Sequence, residues 1–429
     1  MNSSSKEHSG SVLVVTTLNL GDLRASRHGI FQRFRALLEA AVATGRRVIV
    51  VAPVPESRQS SGPKEYAEHA SSEIKEQWHI DVTVHAYLAS AGSRLQNGIQ
   101  SILASLSYRW SPLIQRLKSP ESNGVIHDVL KSDIALVVAH RLPSVTLLLG
   151  SVRKVPLVFD LDDVEHVKLS RELKDSRKLT RKIINWLYIE SIRRAELAAF
   201  SASVETLVCS ATDADYLKNI SGSRFSVLKN AVEIPAMIGE PSGYPIMLMV
   251  GMFAYAPNAR AAEYFIREVL PLVRRDVPSA QIWFCGAGMD EIAQDLRAAQ
   301  GTRFLGFVEH IGKIYGRARF SVCPILVGGG TRIKIIEAAA FGLATVSTTI
   351  GAEGLDTEDG VNILLADTPD AFARKCVEML RDDGLAKRLG AAARALAVDR
   401  YSKESQMREL VNIFQAACGQ HGGNSSLSG

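Results

Sequence analysis

Short runs of Val, Ile and Leu alternate along the chain with longer stretches whose apolar residues recur at helical spacing. SVLVVTTL opens at Ser11, and RRVIVVAP, DVTVHAYL, SDIALVVAH, VPLVFDL, ETLVCS and FSVLKN follow in the first half. Between the first two runs, IFQRFRALLEAAVATG reads as an amphipathic helix closed by Gly45. Such runs have no polar face, so they predict parallel strands covered by helices on both sides. The second half repeats the grammar: PIMLMVG, AQIWFCGAG, TRFLGFV, RFSVCPI and LATVSTT read as strands. NARAAEYFIREVLPLVRR and MDEIAQDLRAAQ read as helices between them.

The two halves are separated by NAVEIPAMIGEPSGYP, which is rich in Pro and Gly and lacks any period, and the break is expected near Pro241. The reading is α/β, two doubly wound Rossmann-like domains facing each other across a cleft. Residues 1–10 form a flexible tail, 11–240 the first domain and 241–400 the second. A helix over 401–420 (YSKESQMRELVNIFQAACG within it) packs back toward the first domain, and 421–429 is a disordered tail. In such sheets ligands gather at the carboxyl ends of the strands.

Composition changes this picture little. The chain has 429 residues, 46% hydrophobic and 22% charged, an ordinary balance for globular domains with real cores. A net charge of +5 is mild for that length, so no nucleic-acid partner is expected. Five widely spaced cysteines without a Cys-x-x-Cys pair predict buried thiols in a reducing compartment, with neither a disulfide framework nor a metal site. The polar start MNSSSKEHSG carries no signal-peptide pattern, and no apolar run approaches the ~18 residues of a membrane span. A cytoplasmic protein is expected.

The stretch VGGGTRIKIIEAAAFG, Val327 to Gly342, carries the chemistry. Strand, glycine-rich loop and helix follow in order, and the N–H groups at a helix start have no internal partner. Arg332 and Lys334 fall where the helix dipole is already positive, an arrangement that an incoming anion such as a phosphate would offset. Gly329 and Gly330 let backbone approach such a ligand, and Glu337, on the same face as Lys334, is placed to accept sugar hydroxyls. The alternative is an exposed i,i+3 pair beside a flexible loop, worth only ~0.2–0.5 kcal/mol. No Gly-Lys-Ser/Thr follows, so this is not a Walker loop.

The run from MLMVGMFAYAPN through LGFVEHIGKIYGRARFSVCPILVGGGTRIKIIEAAAFGLATVSTTIGAEGL resembles the donor domain of glycosyltransferase family 4, in a branch with a Gly-Gly-Gly-Thr-Arg-x-Lys loop. VPLVFDLDDVEH is similar to a segment of the same enzymes' acceptor domain. The resemblance implies GT-B architecture, retention of anomeric configuration, no required metal or other cofactor, and a nucleotide-diphosphate sugar as donor. It implies that Glu337 is the second acid of a Glu-x7-Glu pattern holding the ribose; the first would fall at Gly329, where this chain has no acid. It also implies that GMFAYAPN, Gly251 to Asn258, lines the donor cleft, so Gly251, Phe253, Asn258, Gly329, Gly330, Thr331, Arg332, Lys334 and Glu337 are the candidate donor-binding residues. Asn258 has a second reading as the N-cap of a helix from Ala259, and Gly286 and Gly288 read as a plain turn.

In the first half, Asp160, Asp162, Asp163 and Glu165 close a buried strand, and His140 and Arg141 close another. Asp163 and His140 join Arg332 and Lys334 as candidate catalytic residues. Three readings of the aspartates stay open: helix capping by Asp162 or Asp163, contact with substrate hydroxyls, or a metal site. His140 is either a structural hydrogen-bonder or a substrate contact. The loop NLGDLRASRHG also approaches the strand ends. Lys168 to Arg194 carries nine Lys/Arg against three acids, and RLQNGIQSILASLSYRWSPLIQRLK mixes apolar residues with spaced bases. Both suit either a solvated helix face or peripheral contact with the inner face of a membrane.

The expected activity is hexosyl transfer from a nucleotide sugar to a glycan or lipid-linked acceptor, in bacterial surface polysaccharide or glycoconjugate synthesis. A nucleotide-sugar epimerase of the same fold and a non-catalytic sugar-nucleotide binding protein are the alternatives. A dinucleotide oxidoreductase is disfavoured, since no Gly-x-Gly-x-x-Gly follows the first strand.

Overall fold

The computed structural model describes residues 10–23, 29–89, 117–152, 155–173, 179–236, 244–328 and 330–422. The basic stretch from Arg94 to Arg116, the linker around Pro241, Gly329, most of both tails and part of the NLGDLRASRHG loop lie outside the described residues. The chain divides into two compact units, one of Met1–Leu228 with Gln406–Gly429 and one of Lys229–Ser405.

The first unit is built on β1 (Ser11–Val15), β2 (Val48–Val54), β3 (Thr83–Leu88), β4 (Ile134–His140), β5 (Leu157–Asp162), β6 (Glu205–Val208) and β7 (Phe225–Val227). They lie in the order β3-β2-β1-β4-β5-β6-β7, all parallel. β1 and β4 are buried almost throughout, which explains their unbroken aliphatic sequences. Alternate residues feed two cores: Val12 and Val14 pack with Phe34 and Leu37 on one face, Leu13 and Val15 with Phe159 and Ile192 on the other. The helix Lys403–Gly422 contributes Leu410, Phe414 and Ala417 to the first of these cores.

The second unit contains β8 (Ile246–Val250), β9 (Gln281–Cys285), β10 (Thr302–Phe304), β11 (Phe320–Cys323), β12 (Thr345–Ser347) and β13 (Leu364–Leu365). Their order is β10-β9-β8-β11-β12-β13, again parallel. Strand order reverses beside β1 in one sheet and beside β8 in the other, so the carboxyl ends of β1/β4 and β8/β11 are the switch points where such folds bind ligands.

Three local expectations are corrected. Residues 289–300 do not form one helix: a 3-10 turn, Met289–Glu291, is followed by extended Ile292 and a short helix, Gln294–Arg297. Ile292 is fully buried, so the core takes it at the expense of a helical turn. The helix expected from Ala259 starts at Ala256 with Pro257 in its first turn, which leaves Asn258 inside the helix rather than capping it. That helix is also interrupted by a π-helical turn at Phe265–Val269.

One buried ion pair ties the first unit together. Arg33, on the helix Gly29–Ala43, is 2% exposed, and its Nη2 lies 2.5 Å from an oxygen of fully buried Asp160. Its Nε also donates to that carboxylate at 2.9 Å, and Nη1 donates to the Leu228 carbonyl at 2.8 Å. Burial pushes the Asp160 carboxyl upward and Arg33 opposes that shift. Arg33→Ala strands a buried carboxylate, so it should cost about 3–5 kcal/mol. A lower urea midpoint for the first unit is the expected reading, and an unchanged midpoint would refute the role.

Candidate functional site

In the second unit the strand-end loops are locked by close backbone approach. Gly286 has φ +144°, and a Cβ there would sit 1.8 Å from the Gly251 carbonyl oxygen. Gly288 meets the Ala254 amide in the same way. Phe253 N–H donates to Ala287 O at 2.7 Å and Gly251 N–H to Cys285 O at 3.0 Å, zipping the loop after β8 to the loop after β9. Gly286 and Gly288 are therefore sites of enforced contact, which corrects their reading as a plain turn.

Three of the expected residues meet there. Lys334 Nζ donates to Asn258 Oδ1 at 2.6 Å, and Asn258 Nδ2 donates to Met252 O at 2.8 Å. A side chain at Gly251 would come within 3.2 Å of Lys334 Nζ. Phe253 does not join them: it is fully buried against Phe284, so its ring is core and not ligand surface. Gly328 and Gly330 adopt positive φ, and Thr331 accepts from Asn230 Nδ2 at 3.1 Å. Arg332 is the N-cap of the helix Ile333–Ala340, and its Nη1 donates to the Gly330 carbonyl.

This places Lys334 at the second position of a helix with no acid in its first turn. Burial lowers its pKa, and the neighbouring Arg332 adds to that. Its hydrogen-bond acceptor is a neutral amide, and no ion pair joins it to Glu337, so the exposed i,i+3 pair is not formed. Glu337 instead accepts from Tyr315 Oη at 2.9 Å, and burial raises its carboxyl. Tyr315 was not foreseen. Its stacking on Phe341, with ring centroids 4.6 Å apart, is a packing detail that spacing cannot announce.

In the first unit His140, at the end of β4, is 1% exposed and its Nδ1 lies 3.1 Å from Thr16 Oγ1. Thr16 Oγ1 also accepts from Leu18 N–H at 3.2 Å. The imidazole Nε2 is buried and makes no hydrogen bond among the described residues. Burial pushes the imidazole down to about 3, with Arg141 and Arg33 adding to the effect and Asp162 opposing it. His140 is thus uncharged at neutral pH.

Neither Asp162 nor Asp163 caps a helix. The helix Glu165–Glu172 has Val164 as its N-cap, and Glu165 N–H is taken at 2.9 Å by the buried Glu196 from a distant helix. Asp162 accepts from Cys209 Sγ at 3.0 Å and lies 3.7 Å from Arg33 Nε. Asp162, Asp163 and Cys209 bring one donor atom each within 4.8 Å of one another. The adjacent buried guanidinium opposes a cation there. Arg141 donates to Glu165 at 2.6 Å, and both Arg141 and Asp162 hold positive φ at strand ends, a strain that concentrates at functional sites. Asp163 sits beside Lys168 at 4.0 Å, and burial together with Asp162 raises its carboxyl to about 6.

Residues 244–382 match the family model of Glycosyl transferases group 1. An uncharacterized glycosyltransferase of Methanocaldococcus jannaschii is 25% identical over 54% of this chain and 62% of its own length. An uncharacterized 44.6 kDa protein from the cps region of Klebsiella pneumoniae is 24% identical over 30% of this chain and 36% of its own. The chain therefore spans less than two thirds of either of these relatives. Sucrose-phosphate synthase of Thermosynechococcus elongatus superposes with TM-score 0.65 at 15% identity, covering 95% of this chain and 98% of that one. HepE of Anabaena, in complex with UDP and glucose, does so with TM-score 0.61 at 15% identity, over 95% and 99%. The fold is GT-B.

Two outcomes follow from the geometry. Gly286→Ala forces the two loops apart and should destabilise the second unit by about 1–3 kcal/mol, read by chemical unfolding. Asp163 binds its proton more tightly in the folded state, so between its ordinary 3.8 and about 6 stability falls as pH rises. Asp163→Asn should accordingly be more stable than the parent at neutral pH, and the gap should close on acidification through that window. A gap independent of pH would contradict the assignment.

Proposed function

We propose that the protein transfers a hexosyl group from a nucleotide-diphosphate sugar to a glycan or lipid-linked acceptor, in bacterial surface polysaccharide or glycoconjugate synthesis, at the inner face of the membrane. The observation that carries this reading is Lys334, a partly buried cation at a helix start whose acceptor is a neutral amide. A diphosphate supplies the missing negative charge. The match of residues 244–382 to Glycosyl transferases group 1 and the UDP bound to HepE favour a nucleoside diphosphate as its source.

As the glycosidic bond to the diphosphate breaks, negative charge grows on the leaving oxygens. Arg332, Lys334 and the amides of Gly330 and Thr331 stabilise that charge, being oriented in advance. Side-chain cations take this task without a metal ion. Asn258 holds the Lys334 ammonium in place, Gly251 keeps the approach open, and Glu337, fixed by Tyr315, takes the ribose hydroxyls. In the other unit Asp163, titrating at about 6, manages the acceptor proton, while His140 contacts the substrate and carries no charge. The sugar retains its anomeric configuration.

Thermal denaturation against UDP, GDP, dTDP, ADP, CMP and NAD, with EDTA present, tests the donor half. A nucleoside diphosphate at a hundredfold excess over its dissociation constant should stabilise the protein by about 2.7 kcal/mol. Lys334→Ala should abolish the shift and Lys334→Arg should keep part of it. No shift with any diphosphate sinks the reading, and a shift that needs a divalent ion sinks its metal-free form.

A further inference from the structure

The first turns of the helix Leu179–Ala202 stand out from the surface of the first unit. Thr180 to Ile184 are all exposed, and so is Trp186. Ile183 is 52% exposed, Ile184 50% and Trp186 63%, three of the large apolar side chains most open to solvent within four positions. Ile183 and Trp186, three residues apart, share a face, and Lys182 stands one turn before Trp186 on that face. Arg181 is exposed beside them. Within this helix no acid precedes Glu190, which Arg193 and Arg194 already pair.

A core-packing helix would bury these residues, and a solvated one would not carry them. Exposed Trp and Ile interleaved with Arg and Lys match the boundary of an anionic bilayer, where the indole sits at headgroup level and the bases meet lipid charge. Among the described residues no helix is long and apolar enough to cross a membrane, so any contact here is peripheral. We propose that Arg181, Lys182, Ile183, Ile184 and Trp186 form a docking surface for an anionic lipid bilayer. This deepens the functional reading by naming the surface that would bring the enzyme to a lipid-linked acceptor.

The test is flotation of the full-length protein with vesicles of phosphatidylcholine alone or mixed with phosphatidylglycerol, at low and high salt. Binding should require phosphatidylglycerol, weaken with salt, and fall about tenfold in Trp186→Ala and in Lys182→Glu. The blue shift of tryptophan emission on binding should vanish in Trp186→Phe. These positions are exposed, so the variants should keep the parent's melting temperature and its nucleotide-induced shift. Failure to bind anionic vesicles, or binding that the variants leave intact, overturns the proposal. So does light scattering that shows Ile183→Ser dissociating a dimer, which assigns the patch to a second copy. Vesicle binding without any nucleotide effect would leave the docking surface standing and remove the transferase reading.

Discussion

A cation taken out of water needs compensation, and Arg33 and Lys334 are handled in opposite ways. Arg33 is compensated from within: Asp160 lies against it, the Leu228 carbonyl takes another N–H, and the result is a closed, structural arrangement. Lys334 has the neutral Asn258 amide as its hydrogen-bond acceptor, while burial and Arg332 press on its charge and Cys323 opposes them. The first arrangement holds a sheet edge together. The second leaves room for a favourable interaction that a negative partner would provide, which is the basis of the donor site proposed above.

The parallel sheets decide where that asymmetry is expressed. Strands buried on both faces leave no polar surface along their length, so functional side chains collect at the carboxyl ends. There the backbone is under unusual demands. Gly286 is pressed against the Gly251 carbonyl, Arg141 and Asp162 hold left-handed φ, and Glu196 reaches across from another helix to take the Glu165 amide. These contacts fix the loops that carry Lys334's neighbours in one unit and Asp163 in the other. The protonation states follow from the same burial: a neutral His140, and an Asp163 that titrates near neutrality.

Much of this was legible in the chain. Aliphatic runs announced the parallel strands because a strand covered on both faces tolerates no polar alternation, and the glycine-rich loop with Arg332 and Lys334 pointed to the proposed anion site because its charges oppose the helix dipole. Other features needed coordinates. Phe253 lies in a stretch that looks like ligand lining, yet the core claims its ring. Ile292 breaks an apparently helical segment for the same reason. The partnerships of Glu337 with Tyr315, of Thr16 with His140 and of Glu165 with Glu196 join residues far apart in sequence. By itself, then, the sequence determined the periodicity, and with it the elements and the charge pattern at the loop, since these depend on near neighbours. Only the tertiary structure decided which side chains face the core and which partners set each group's charge, since burial and electrostatics depend on atoms that folding brings together from distant parts of the chain.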